Sequence, residues 1–547
     1  MRNCIVIFLI LILVLQSSAI KSQEYYWVAF TDKKNTPYSL SAPDEYLSER
    51  AIQRRGKQNI AIDSLDLPVS TEYVSQVVRP RVSLVHSSKW LNGITVKVEI
   101  DSFENKISSL AFVKEIQLTK PGKITKSGFD KFYESSDEDP APIDTSVYGY
   151  SANQVGQLNG QFLHNQGFRG EGKHIAVLDG GFFNADSLDA FDSLWVNSQI
   201  LGTKDFVNAE ERFFKTDYHG MSVLSCMGGN VPGDLIGTAP KASYWLIRSE
   251  DTGSEYIIEE DNWVAAAEFA DSAGADVINS SLGYFTFSDT TANHSYFDMD
   301  GNTTRVTRGA NIAASRGMLV FSSAGNERND EWKYIIAPSD GDNVIGVGAV
   351  NKDGIAASFT SYGPASDGDI KPNVAGFGVN TFLQKSNGLL GYNSGTSFSS
   401  PVVAGMGACL WQANPHVTAA QVKSAIEQSG HLFESPDSLL GYGIPDMYKA
   451  NLILMSLSAE RINIQKQWTV YPNPVEDVLV LQKNGAQNTE QVKLSFFSMD
   501  GRLLMNETRY ETSKIVVRGL QFLPAGLFIL KIETGNASES VKLSKSR

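Results

Sequence analysis

The rhythm of apolar and polar positions divides the chain into four stretches. The first is an unbroken apolar run of eleven residues, Ile5 to Leu15, behind the cationic Arg2. It is too short to cross a bilayer comfortably, and it exits through Gln16-Ser17-Ser18-Ala19, small residues suited to cleavage. Residues 1–22 therefore read as a signal peptide. The second stretch, residues 23–145, shows strand patterns at Tyr25–Phe30, Arg81–His86, Gly93–Ile100 and Val113–Leu118, with a helical turn at Ile107–Leu110. Arg81–His86 alternates as a half-buried strand does. This small α+β module ends in Ser135-Ser136-Asp137-Glu138-Asp139-Pro140, whose charge and proline predict an exposed linker. A removable pro-segment and an unrelated binding domain both suit that arrangement.

In the third stretch, residues 146–457, helical and strand periods alternate. Helix patterns occur at Asn153–Gln166, Met221–Met227, Ile257–Ala273, Val306–Ala314, Val402–Trp411 and Thr418–Gln428, the last opened by a Thr418/Gln421 capping box. Apolar strands occur at Lys173–Leu178, Tyr244–Ile247, Val277–Ser280, Met318–Ser322 and Val344–Val350. Strands buried on both faces and separated by helices predict a parallel sheet covered on both sides. The active residues of such sheets gather at the carboxyl ends of the strands. The fourth stretch, residues 465–547, is a run of short strands (Trp468–Tyr471, Val478–Leu481, Val492–Ser498, Leu503–Leu504, Ile515–Val517, Leu527–Ile532, Ser540–Leu543) separated by turn residues. It predicts a small all-β sandwich without catalytic groups.

Composition narrows the function. At 547 residues the length suggests three or four domains, and 42% hydrophobic residues supply their cores. A net charge of −14 argues against nucleic acid and anionic membranes as partners. Of the three cysteines, Cys4 lies in the leader, while Cys226 and Cys409 sit in small-residue helical runs as expected of buried free thiols, with one disulfide allowed but not indicated.

Three segments then carry chemistry together. Ile175-Ala176-Val177-Leu178-Asp179-Gly180-Gly181 puts an acid at a strand end, and His219-Gly220-Met221-Ser222 puts an imidazole at a helix start. Gly395-Thr396-Ser397-Phe398-Ser399-Ser400-Pro401 puts a serine before an apolar helix, where backbone N–H groups are unpaired and the dipole is positive. Amide hydrolysis needs such a nucleophile, a base for its proton and an acid to orient the base. Ser323-Ala324-Gly325-Asn326 adds a carboxamide suited to an oxyanion. Singly, these residues are ordinary caps and turns; in this order they make a set.

These segments resemble those of the subtilisin-like serine peptidases, whose serine motif reads Gly-Thr-Ser-Met-Ala-Ser-Pro. The resemblance implies that Asp179 orients the base, His219 is the base, Ser397 is the nucleophile and Asn326 supports the oxyanion. It also implies that Ser281, Leu282 and Gly283, with Ala324 and Gly325, form an edge that binds an extended peptide. It departs at Met221-Ser222, where the family has Thr-His. The loop Tyr284–Gly309 carries Asp298-Met299-Asp300-Gly301-Asn302, spaced like part of a calcium loop but without its closing acid. No cofactor is required; a structural calcium is allowed, and a solvated acidic loop is favoured. Residues 24–145 resemble the family's inhibitory pro-segment in position and in the run Trp90-Leu91-Asn92-Gly93-Ile94. Residues 468–547 resemble the sorting domain of type IX secretion cargo from Bacteroidota through Tyr471-Pro472-Asn473-Pro474, Asp500-Gly501-Arg502 and Leu523-Pro524-Ala525-Gly526-Leu527-Phe528. The expectation is a monomeric endopeptidase made as a zymogen, with its own pro-segment, polypeptide substrates and the type IX machinery as partners. It would pass the periplasm and outer membrane to the medium or the cell surface. An inactive adhesion protein on the same fold is the alternative. A Gly-x-Ser-x-Gly esterase is disfavoured by the Gly-Thr-Ser-Phe-Ser segment and by the histidine preceding the serine.

Overall fold

The structure, a computed structural model, describes residues 23–122, 131, 147–461, 468–484, 490–498, 502–511, 513–534 and 537–545. The leader, the acidic linker 135–140 and the turns at Asp500-Gly501 and Gly535-Asn536 lie outside these residues. The described chain falls into two compact units, residues 1–451 and 452–547.

The parallel sheet expected in the first unit has seven strands, all neighbours parallel. In space they run Val374–Phe377, Ile345–Val350, Leu319–Ser323, Val277–Ser280, His174–Asp179, Ser243–Arg248 and Ile200–Asp205. Successive side chains of a strand point to opposite faces. Ala176, Leu178, Ile278 and Val320 accordingly join one core with Trp263, Ala267, Val306 and Ala310, which come from the helices Ile258–Ala273 and Arg305–Ser315. Phe321 points the other way, against Gly407 of the helix Thr396–Ala413. The edge strands Ile200–Asp205 and Val374–Phe377 were not expected. Ile200–Asp205 has no fully buried position, so it lacks the apolar signature of its neighbours. The pattern over 153–166 is two short helices, Ala152–Gly156 and Gln161–Asn165, because Asn159 takes a left-handed φ of 53° between them. Cys226 and Cys409 are free and buried.

The N-terminal module is a four-stranded antiparallel sheet in the order Val82–Ser88, Gly93–Val98, Glu24–Phe30, Val113–Lys120, with its own core. It docks on the helix Ile258–Ala273. Trp90 enters the core beside Trp263, and the backbone N–H groups of Lys89 and Trp90 donate to the Glu268 carboxylate at 2.8 and 3.0 Å. A helix the sequence pattern missed, Glu49–Gln58, buries Arg54 and Arg55 against Asp271.

The second unit pairs a three-stranded sheet with a four-stranded antiparallel sheet around Trp468, Leu479, Phe496 and Leu530. Every strand expected there is present. Among the described residues no helix is long and apolar enough to cross a membrane.

Candidate active site

Asp179 closes the strand His174–Asp179 and is fully buried. Its Oδ1 accepts the Gly180 N–H at 2.7 Å and lies 2.8 Å from His219 Nδ1. An ionised carboxylate only accepts, so this contact places the imidazole proton on Nδ1 and leaves Nε2 basic. Among the described residues Oδ2 is buried without a hydrogen-bond partner. Burial pushes the Asp179 carboxyl above the usual carboxylate range, and the His219 contact opposes it.

His219 opens the helix His219–Gly228, and its N–H donates to Asp217 Oδ1 at 2.8 Å. Gly220 is required by close approach: a Cβ there would lie 2.6 Å from both Asp179 Cβ and Gly181 O. At the positions that depart from the family pattern, Met221 is buried and Ser222 Oγ donates to Gln384 O at 2.7 Å. That bond ties the histidine's helix to the hairpin Thr381–Gln384/Leu390–Asn393.

Ser397 lies in the first turn of Thr396–Ala413, a helix that begins six residues before the apolar period does. Its proline explains a contact the sequence could not show. Pro401 has no N–H to return to the Ser397 carbonyl. Ser281 Oγ takes that place, donating to Ser397 O at 2.8 Å, and Ser397 Oγ in turn donates to Ser281 O at 3.4 Å. The helix that carries Ser397 is thereby fastened to the segment following Val277–Ser280. The His219 ring lies 5.9 Å from that of Phe398, beside Ser397.

Asn326 follows Leu319–Ser323, and its Oδ1 accepts both the Thr396 N–H at 2.9 Å and Thr396 Oγ1 at 3.0 Å. A donor at Thr396 fixes the amide orientation, so the NH₂ end is the one left for a ligand. Asn326, Gly325, Ser281, Leu282, Gly283 and Ser397 line one cavity of about 120 Å³. Ala324 stands behind this wall, buried, with its N–H donating to Val347 O at 3.0 Å.

The same cavity is lined by Glu250, Glu255 and Lys131, which sequence reasoning did not single out. A signal existed, since Glu250 stands two residues past the strand Ser243–Arg248, where that sheet gathers its active groups. The calcium-like loop behaves differently. Asp300 accepts from the N–H groups of Asn302 and Thr303 and from Thr303 Oγ1, and Asp298 accepts from Ser295. Both carboxylates serve local turns.

Residues 170–443, half of the chain, match the Subtilase family. The chain belongs to that family. Residues 25–131 match the Peptidase S8 propeptide domain of Bacteroidota, and residues 469–546 match a secretion system C-terminal sorting domain. Subtilisin of Bacillus pumilus is 30% identical to this subtilase over 280 residues, 50% of this chain and 90% of the relative. A thermostable alkaline protease of Halalkalibacterium halodurans is 28% identical over 52% of this chain and 70% of its own. Against subtilisin NAT of Bacillus subtilis subsp. natto the identity is 30%, and the match spans 65% of that relative's length. The crystal structure of MycP1 from Mycobacterium smegmatis aligns with a TM-score of 0.43 at 21% identity, over 57% of this chain and 89% of that one. The serine-type endopeptidase class follows from the family match.

Proposed function

We propose that this subtilase is a secreted endopeptidase made as a zymogen, with Asp179, His219 and Ser397 as its triad. One observation carries the reading: a buried acid at a strand end bonds His219 at 2.8 Å, and the His219 ring lies 5.9 Å from that of Phe398, the neighbour of Ser397 in the first turn of its helix. In the reaction Ser397 Oγ turns from Ser281 O to give its proton to His219 Nε2 and attacks the peptide carbonyl. The Ser397 N–H and Asn326 Nδ2 stabilise the oxyanion. His219 then protonates the leaving amine, and water releases the acyl group by the reverse path. Residues 23–145 act as the intramolecular inhibitor and residues 465–547 as the type IX address. A fluorophosphonate probe should label the mature protein at Ser397. An inactive adhesion protein on this fold predicts no labelling.

A further inference from the structure

Glu250 and Glu255 line the cavity that Ser397 lines, and Glu259 stands against them. Glu250 follows a sheet strand, Glu255 lies in the next loop, and Glu259 sits in the first turn of Ile258–Ala273. One oxygen from each falls within 4.8 Å of the others. Glu250 and Glu259 are buried, at 3% and 0% exposure. Tyr284 Oη donates to Glu250 Oε2 at 2.8 Å, a neutral contact that removes no charge. Like charges at this spacing in a buried place oppose one another's ionisation and need a cation.

The cation present comes from outside the peptidase domain. Lys131 Nζ lies 2.7 Å from Glu255 and 2.7 Å from Glu259 and also bonds Glu250. Lys131 follows the last strand of the pro-segment, Val113–Lys120, and precedes the peptidase domain. The ammonium has three donors, and each carboxylate takes one. Among the described residues Glu259 Oε1 has no donor and is buried. The cluster thus holds more acceptors than its occupant fills, and the occupant belongs to a segment that maturation would remove. With Lys131 in place, burial still pushes Glu255 up to about 7 and Glu259 well above the carboxylate range.

We propose that Glu250, Glu255 and Glu259 form a substrate subsite for a lysine or arginine side chain on the acyl side of the scissile bond, and that Lys131 is its built-in occupant in the precursor. This rests on the peptidase reading above. The direction follows from chain order: Lys131 closes the stretch that matches the propeptide domain, so a cut that frees the peptidase domain falls C-terminal to it. An arginine, with five N–H donors, can also reach Glu259 Oε1.

The test uses mature enzyme and fluorogenic peptides carrying Lys, Arg, norleucine or Glu at each of the five positions before the scissile bond. At one position Lys and Arg should exceed norleucine by about 10- to 100-fold in kcat/KM, the size expected of a charge-assisted buried contact. The double variant Glu255→Gln/Glu259→Gln should bring that ratio within about threefold. The ratio is internal to each variant, so a general loss of rate does not mimic the effect. In the precursor, Lys131→Met should slow autoprocessing about tenfold or more, while Lys131→Arg should not. A fluorophosphonate-labelled, active enzyme with no basic preference at any position overturns the subsite and leaves the peptidase reading standing. So does a preference unchanged in the double variant, or one abolished by calcium, which would make the cluster a metal site. Absence of labelling overturns the peptidase reading instead. The subsite is then read by binding: a peptide of residues 121–136 should bind the mature protein at least about tenfold tighter than its Lys131→Met form, and equal binding overturns it.

Discussion

Two buried ionic centres join the pro-segment to the peptidase domain, and they have opposite stoichiometry. At Asp271 one carboxylate meets three cations, Arg54, Arg55 and Lys89, with Asp66 as a second partner for Arg55. At Lys131 one cation meets three carboxylates. Burial raises the Asp271 carboxyl, but its three cations outweigh that and hold it well below the usual range. Glu255 and Glu259 stay raised despite Lys131. The first centre takes its cations from the body of a folded sheet module; the second takes one from that module's tail. On the proposed reading the first contact holds the module and the second is exchanged for substrate.

The largest effect is expected of Ser397→Ala. In Ser397→Ala neither centre should ever empty, and the uncut precursor should accumulate. Turnover of casein should fall by about 10⁶ in kcat, the size known for subtilisin itself rather than deduced from this chain. Near-normal turnover by a folded Ser397→Ala protein would remove the triad assignment. Mass spectrometry of the N-terminus in wild type and variant reads the processing. The same cut N-terminus in both would assign it to another protease.

Asp271→Ala should come next. It leaves Arg54, Arg55 and Lys89 buried without their shared carboxylate, a loss of about 3–5 kcal/mol for a broken buried pair. Read as the inhibition constant of the pro-segment supplied in trans, this weakens binding by at least about a hundredfold. An unchanged inhibition constant would show that the other contacts, among them Trp90, the Glu268 bonds and Arg50–Asp276, are enough to hold the module.

Asn326→Ala separates cutting from holding. It should lower kcat by about 10²–10³, again the subtilisin magnitude, with KM and pro-segment affinity little changed. A variant that lost affinity alone would place Asn326 in substrate binding.

Much of this was legible in the residues. Asp179, His219, Ser397 and Asn326 each mark the end of an apolar strand or the start of a helix, so period and position coincide with chemistry. The features that the sequence concealed share a cause. Arg54 and Arg55 lie on a helix whose buried face is charged, so its pattern reads as solvent-exposed. Glu250, Glu255 and Glu259 stand in a chain stretch with Asp251, Glu260 and Asp261, which looks like a hydrated acidic surface. Their burial depends on a sheet edge, a helix start and Lys131, more than a hundred residues away. The helix start at Thr396 was hidden because its first turn is small and polar. The bond from Ser281 to Ser397 O is visible only once the two segments are adjacent.

The smallest effect sharpens the comparison through pH. At the Asp271 centre a depressed carboxyl contributes above its unfolded value of about 4, and that contribution is lost only as pH falls through the lower folded value. Between pH 5 and 9 it is constant. In the pocket the sign is reversed. The Glu255 carboxyl sits at about 7 with Lys131 present, chiefly because of burial, while Lys131 draws it down and Glu250 pushes it up. A lysine that lowers the carboxyl's pKa must, by reciprocity, bind better when the carboxyl is ionised. Basic preference should therefore rise with pH through about 7, and the empty pocket should titrate higher still. The ratio of kcat/KM for a lysine peptide to its norleucine analogue should grow about three- to tenfold from pH 6 to pH 8, up to one charge's worth of interaction. Taking the ratio divides out the pH dependence of the triad, which both peptides share. Glu255→Gln should flatten the slope. A ratio that stays level in the wild type, or falls as pH rises, would mean the cluster is already fully ionised or does not face the substrate, and the contrast with Asp271 would then rest on geometry alone.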